Sequence, residues 1–408
     1  MIAATLPRFT DATGQPASVS PRRAAVASQI DRNHDGVLSD DEIRQYMIKQ
    51  DILHTHGAVN EAAVTKQFKA YLADQRRPET DGYHTYQQMA DELQSLATQN
   101  PDLCSRVSLG KTHEGRDIWA LHVTGPGDAS KRPGVVFTGV HHAREWMTIE
   151  SPLRLAHNLL DNYKTDAHVQ KDVNSSDIWI VPCLNADGYE YTRTQDAMWR
   201  KNRQPLAGGE TGVDINRNYD DGDPAHECLY RPPFDTPGST DDDYGQTSDD
   251  PSSEVYRGPK GKSELETQAA LKLELGQPNI VGVIDHHSYG NDILRPWGHT
   301  KDEPDRVNEY LDCGNKMTAA MDQPYTLEKS DDMYPTTGDS TDCLHAAGIT
   351  AYTIEMGDSF QPDASEIPSM TQNVVKADMA FLDWIIQNKT GVTRQPLASI
   401  PPFDANSG

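Results

Sequence analysis

The chain has 408 residues, and its 62 Asp and Glu outnumber its 37 Lys and Arg, giving a formal charge of −25. That excess repels phosphate and argues against nucleic acid as a partner, while it suits metal cations or plain solubility. No run approaches the roughly 18 apolar residues of a membrane helix, and five scattered cysteines without a CxxC pair make neither a disulfide scaffold nor a cysteine zinc knuckle.

Residues 1–10, MIAATLPRFT, lack the charged and apolar regions of a secretory leader. Ser20-Pro21 reads as an N-cap with a first-turn proline, opening a helix through Ile30. Residues 31–42, DRNHDGVLSDDE, follow the calcium loop of a helix–loop–helix hand. Asp31, Asn33 and Asp35 place oxygens at alternate positions, and Gly36 permits the sharp turn. Val37 offers its carbonyl, Ser39 a hydroxyl or a bridging water, and Glu42 both carboxylate oxygens. A solvated turn is the plainer alternative. A second helix is predicted from Asp40 to about Lys49. Residues 51–75 carry no second acidic loop, so a lone hand suits a structural site better than a sensor. Residues 76–82, RRPETDG, read as a linker. The predicted division is a helical calcium-binding region over 1–80, a main domain over 81–390 and a tail over 391–408.

Beyond the linker, apolar runs at 134–140, 178–182, 280–285 and 349–354 are predicted strands. Helical patterns lie at 86–99, 148–160, 263–275, 308–321 and 370–388. Continuous apolar strands interleaved with helices indicate an α/β fold whose sheet is buried on both faces. A Pro- and Asp-rich insert over 220–250 interrupts the pattern and holds Asp241-Asp242-Asp243 and Asp249-Asp250. It is expected to be a solvated loop or a second, calcium-pinned site.

His142 and Glu145 stand three apart, just after the first of these strands and at the mouth of a helix. Alone this pair is weak, since fifteen histidines give about one such spacing by chance. The strand at 280–285 runs into His286-His287, which offers a third ligand. Two histidines and one carboxylate make a zinc set with one position left for water, and zinc acidifies that water. The strand at 349–354 delivers Glu355, a carboxylate able to act as general base. All of these groups fall at the C-terminal ends of strands, where open α/β sheets bind ligands.

Further blocks follow in order: Tyr83-His84-Thr85-Tyr86, 113–117 (HEGRD), 139–146 (GVHHAREW), 185–189 (NADGY), 199–203 (WRKNR), 212–218 (GVDINRN) and 287–289 (HSY). With them the chain resembles the zinc carboxypeptidases of the carboxypeptidase A/B family, over residues 83 to about 388. The resemblance implies a mixed, mostly parallel twisted sheet with helices on both faces, here preceded by the small helical hand. It implies one catalytic zinc on His142, Glu145 and His287, with His141 and His286 in supporting or structural roles. Glu355 would be the general base and later the proton donor. Arg200 would stabilise the oxyanion, and Asn216 and Arg217 would grip the substrate's terminal carboxylate. Tyr334 would close over the bound residue, and Arg144 would steer the peptide in an outer subsite.

By the same resemblance Thr341 falls at the floor of the specificity pocket, with Asp339 close by. A mixed preference is expected, for apolar or aromatic C-terminal residues and some basic ones. The stretch up to Glu355 is about one residue shorter than usual in the family. Digestive members carry an α/β pro-domain where this chain has its hand, so a zymogen role does not carry over. The expected partners are peptide or protein C-termini, without nucleic acid or a membrane span. The calcium loop and the digestive-type fold favour an extracellular setting, while the sequon triplets at Asn174 and Asn388 are common by chance and the lack of a visible leader argues the other way. Two other functions fit less well: a cell-wall muropeptide hydrolase of the same fold, and a calcium-dependent binding protein with an inactive peptidase domain.

Overall fold

The computed structural model describes residues 9–11, 15, 17, 19, 24–49, 65, 68–69, 82–223, 230, 247–395, 397 and 399–403. The predicted cap at 20–21, most of the linker and Asp241-Asp242-Asp243 lie outside these residues.

The N-terminal region holds β1 (Thr10–Asp11), α1 (Ala24–Ile30), β2 (Val37–Leu38) and α2 (Asp40–Lys49). Three acids open α2, Asp40, Asp41 and Glu42, where the positive end of the helix dipole favours them. The 31–42 loop turns at His34 and Gly36, whose φ angles are 59° and 79°. Its short strand pairs in parallel with β1, Thr10 beside Val37. Val26, Ile30, Ile43 and Met47 then form one apolar cluster with Met198, Tyr289 and Phe360 of the main domain. Helices α1 and α2 are therefore seated on the larger fold by side-chain burial.

The main domain runs α3 (Tyr86–Gln99), β3 (Cys104–Lys111), β4 (Asp117–Val123), β5 (Gly134–Thr138), α4 (Met147–Asn162), α5 (Ala167–Ser175), β6 (Asp177–Val181) and α6 (Ala186–Thr194). It continues through α7 (Leu265–Glu274), β7 (Ile280–His287), β8 (Asp292–Arg295), α8 (Val307–Ala320), β9 (Thr326–Lys329), α9 (Ser330–Met333), α10 (Ser340–Ala346), β10 (Thr350–Glu355) and α11 (Ile367–Lys389). Eight strands form one mixed sheet in the order β3-β4-β6-β5-β7-β10-β8-β9. The four predicted strands are its four central neighbours, β6, β5, β7 and β10, all mutually parallel.

Alternation sorts the strand side chains into two layers, as the two-residue period requires. Val135, Phe137, Ile178, Ile180, Tyr352 and Ile354 join the core beneath α3, α4, α8 and α11. Val136, Trp179, Val181 and Ala351 join the opposite core with α7 and α10. Both faces are covered, which is why these strands read as unbroken apolar runs. Register then fixes the site, because Glu355 pairs with His287 and Thr138 with Asp285. Three strand ends, of β5, β7 and β10, are brought to one edge.

Within the stretch set apart as a tail, Leu397, Ile400 and Phe403 pack against the core. Arg394 Nε donates to the Ile280 carbonyl at 2.7 Å, and Ile400 is buried beside α7. Cys104, Cys183, Cys313 and Cys343 are buried thiols, while Cys228 is outside the described residues.

The entry to the domain is fastened by His84, which contacts Glu150 at 2.8 Å and Glu92 at 2.7 Å. Burial lowers the histidine pKa, but the bonds to Glu150 and Glu92 outweigh it and raise it from 6.5 to about 10. A folded pKa above the unfolded value stabilises the fold fully below pH 6.5, and that contribution is lost as pH rises through about 10. The urea midpoint is therefore expected to fall from pH 7 to 10, with a shallower fall in His84→Gln. Equal slopes in the two proteins would remove this role.

Candidate active site

β5 ends in a tight turn at Val140, whose φ is 53°. The turn is pinned from three directions. Val140 N–H donates to Thr148 Oγ1 at 2.9 Å, Asn185 Nδ2 donates to the His141 carbonyl at 3.1 Å, and Ala143 N–H donates to the Arg200 carbonyl at 2.9 Å. These bonds set His142 and Glu145 facing the end of β7.

His142 Nδ1 lies 2.7 Å from Glu145 Oε1, and His287 Nδ1 lies 3.1 Å from Glu145 Oε2. The two Nδ1 atoms are 3.2 Å apart. All three side chains are buried and form one potential metal-holding cluster. The donor set is the nitrogen, nitrogen, oxygen set of zinc, and the separations approach the roughly 3.3 Å edge of a tetrahedron with 2.0–2.1 Å bonds. The outer nitrogens are also engaged: His142 Nε2 lies 3.2 Å from Asp214 Oδ1, and His287 Nε2 lies 3.4 Å from Asn216 Nδ2. Such outer contacts fix ring orientation in metal sites. These residues fit a zinc ion.

Asp214 was not singled out in the sequence. It is buried and accepts from Arg200 Nε at 2.9 Å while facing His142, so it ties the arginine to the metal cluster. Burial pushes its pKa up, but Arg200 and His142 hold it well below the usual carboxylate range. The signal was an acid inside the apolar run Val213-Asp214-Ile215. His141 and His286 serve as supports: His141 meets the Tyr219 hydroxyl at 2.9 Å, and His286 meets Asp378 and the Thr138 carbonyl, each at 3.0 Å.

Glu355 closes β10 and is buried. Burial raises its pKa well above the ordinary value, as do the charges of Glu145 and Asp292; Arg200 and Arg217 oppose the shift. Asn216 and Arg217 sit in a 3-10 turn capped by Asp214, which accepts from Asn216 N–H at 3.0 Å. Asn216 Oδ1 accepts from Ser340 N–H at 2.9 Å, and Tyr219 N–H donates to the Gly338 carbonyl at 2.9 Å. The 338–341 loop is thus fastened to the Asn216-Arg217 turn.

Within that loop Asp339 caps α10 through Asp342 N–H at 2.9 Å, leaving Oδ2 buried without a hydrogen bond. Burial, then repulsion from Asp342, lifts its pKa to about 7. Thr341 Oγ1 meets Thr353 Oγ1 at 2.9 Å. Tyr334 is half-buried at the end of α9. Arg144 is fully buried, with its guanidinium 4.3 Å from the centre of the Phe360 ring. Glu254, also missed in the sequence, lies in the field of Arg144, Lys201 and Arg200, and burial raises its pKa.

Gly338 has a φ of +72°, and a Cβ there would collide with the Arg217 carbonyl oxygen. Both the strain and the clash fall on backbone. Gly338→Ala is expected to cost about 1–3 kcal/mol in chemical denaturation and to weaken substrate binding by parting the loop from Arg217. An unchanged KM and midpoint would contradict this.

Two more clusters of potential ligands occur among the described residues, His113 with Glu264 and Glu266, and His168 with Asp172 and Asp383. In the 31–42 loop Asp31 and Asp35 face the local backbone, while Asp40 pairs with Lys69. Asp31 accepts from the Asp35 and Gly36 N–H groups at 3.1 and 3.0 Å, and Asp35 from Val37 N–H at 2.7 Å. Asn33 Oδ1 accepts from Asp35 N–H at 3.0 Å. Glu42 Oε2 accepts from the Ser39 hydroxyl at 2.7 Å, while its Oε1 is buried without a hydrogen bond. In the insert, Asp249 pairs with Arg257 at 2.5 Å.

No helix among the described residues is long and apolar enough to cross a membrane. A family model described as zinc carboxypeptidase matches residues 89–377. The metallocarboxypeptidase A of Arthroderma otae is 33% identical over 281 residues, covering 66% of this chain and 62% of that protein, less than two thirds of its length. The metallocarboxypeptidase A of Trichophyton rubrum is 31% identical over 321 residues, covering 75% and 72%. Among solved structures, the carboxypeptidase A of Helicoverpa armigera shares the fold with a TM-score of 0.67 at 23% identity, covering 85% of this chain and 81% of that one. A buried His, Glu, His cluster at the strand ends of a mixed eight-stranded sheet, within a span matched by that model, places the chain in the zinc carboxypeptidase family.

Proposed function

We propose that the chain is a zinc-dependent carboxypeptidase that removes the C-terminal residue of peptides. The observation that carries this is the position of Asn216, between the metal cluster and the pocket loop, with Arg217 beside it. A pair that recognises a terminal carboxylate thus stands within one residue's reach of the hydrolytic centre. An internal peptide bond presents no charge for Arg217 to meet.

His142, Glu145 and His287 would hold the zinc. When bound, zinc supplies Lewis acidity to the scissile carbonyl and acidifies water, and its charge offsets the Glu145 repulsion that raises the Glu355 pKa. Glu355 takes the proton of the attacking water and returns it to the departing amine. Arg200, oriented by Asp214, faces the oxygen where negative charge develops. Asn216 and Arg217 fix the terminal carboxylate and so position the last peptide bond. Tyr334 closes over the bound residue, and Arg144 steers the chain upstream.

Thr341 and Asp339 set the side-chain pocket, which favours apolar or aromatic residues and, through Asp339, some basic ones. The test is release from peptides ending in Phe, Leu, Lys, Arg and Glu. Release of Phe and Leu with measurable Lys or Arg is expected; preference for Glu would refute the pocket.

The 31–42 loop is read as a calcium site, supported by its ligand spacing and by the unmet Glu42 Oε1. Calcium is plentiful outside cells, which favours an extracellular enzyme. Calorimetry on the whole chain checks the site, and absence of heat at millimolar calcium would remove it.

A further inference from the structure

We propose that His168, Asp172 and Asp383 form a second zinc site, which staples α5 to α11 and lies apart from the catalytic cluster. An imidazole nitrogen beside carboxylate oxygens suits a first-row transition ion such as zinc, whereas calcium and magnesium take oxygen alone.

His168 and Asp172 stand four apart on α5, so they share one face of that helix. Asp383 comes from the last two turns of α11. His168 Nε2 lies 3.4 Å from Asp172 Oδ2, and 3.0 and 2.8 Å from Oδ1 and Oδ2 of Asp383. One ligand atom from each residue falls within 4.8 Å of the others. The 3.4 Å separation is close to the roughly 3.3 Å edge of a zinc tetrahedron. Helix α5 leads into β6, whose first residue pairs with Gly134 at the start of β5. The catalytic cluster lies beyond the far end of β5, so the two sites are separate.

Asp172 is the residue that points to an ion. It is 0% exposed, and neither Oδ1 nor Oδ2 has a hydrogen bond among the described residues. The nearby Ser176 hydroxyl donates to the Asp172 backbone carbonyl at 2.6 Å instead. A buried carboxylate is strongly disfavoured unless it is paired, and His168 does not pair it. The single hydrogen on Nε2 is turned to Asp383 and cannot serve Asp172 as well. Once that proton leaves, the nitrogen and both carboxylates are acceptors converging on one point, as a metal requires. Burial, then the charge of Asp383, lifts the Asp172 pKa to about 6; Lys171 opposes the shift and Asp166 adds to it. A dication between the carboxylates relieves that repulsion. The His168 side chain is 53% exposed, which gives the ion a path from solvent and leaves room for water to complete its shell.

The experiment uses the whole chain in buffered zinc, raised from a level that fills only the catalytic cluster, beside His168→Gln and Asp172→Asn. Metal analysis is expected to climb from one zinc ion per chain to two in the parent and to stop at one in either variant. Peptide release should be unchanged in His168→Gln. At free zinc about ten times the dissociation constant of the second ion, amide exchange at 167–175 and 379–389 is expected to slow about 10-fold in the parent alone. His168→Gln changes a half-exposed side chain and decides the matter by itself if Asp172→Asn folds poorly. A parent that stops at one zinc, a second ion retained in His168→Gln, or exchange at the two helices that ignores added zinc would overturn the site.

Discussion

Glu355→Gln is expected to lower kcat/KM for a C-terminal peptide by about 10²–10⁴-fold while leaving zinc content intact. The residue stands at the end of β10, beside His287 in register, and is not one of the three clustered ligands. Its removal takes away a proton acceptor and nothing that holds metal. Stability should not fall, because a neutral amide ends the repulsion from Glu145 and Asp292 that raises the carboxyl pKa. The loss should appear equally in kcat and kcat/KM, the sign of a group that acts in the transition state. Zinc analysis, thermal melting and kinetics on one preparation check this. Full activity in the variant would remove the assigned base; loss of zinc would make Glu355 a ligand.

Arg217→Met is expected to raise KM for a peptide with a terminal carboxylate by about 10²-fold, the worth of a charge-assisted, two-pronged contact. An amidated peptide should be cleaved no worse than before, so the preference for the acid collapses. Arg217 is buried, and its backbone carbonyl touches the Gly338 turn. A melting control therefore accompanies the kinetics. Retained discrimination in a folded variant would assign the carboxylate contact elsewhere.

The sequence showed the centre of the fold more clearly than its edges. β5, β6, β7 and β10 are apolar throughout because α-helices cover both faces, and such runs stand out in a polar chain. β3 alternates buried and exposed residues at the edge of the sheet, and β8 and β9 are four residues each. Strands that are short or only half-buried leave little pattern. Helix α3 was legible residue for residue, with Thr85 and Gln88 forming its capping box.

The candidate metal cluster was legible because His287 ends β7 and His142 and Glu145 lie in the short segment between β5 and α4. Its supports were not. Asp214 and Asp378 are two acids among 62, and each is defined by a partner tens of residues away. The 31–42 acidic loop, proposed above as a calcium site, is a local pattern visible in the sequence. Its seat on Met198, Tyr289 and Phe360 depends on contacts across more than 150 residues of chain, which no local pattern encodes.

The most direct measurement compares two versions of one peptide, ending in Phe as the acid and as the amide, with products identified by mass spectrometry. Carboxypeptidase action guided by Asn216 and Arg217 predicts loss of the single terminal Phe from the acid, at least about 100-fold slower from the amide, and none after zinc chelation. Internal cleavage, equal rates on the two peptides, or release that persists without zinc would contradict it.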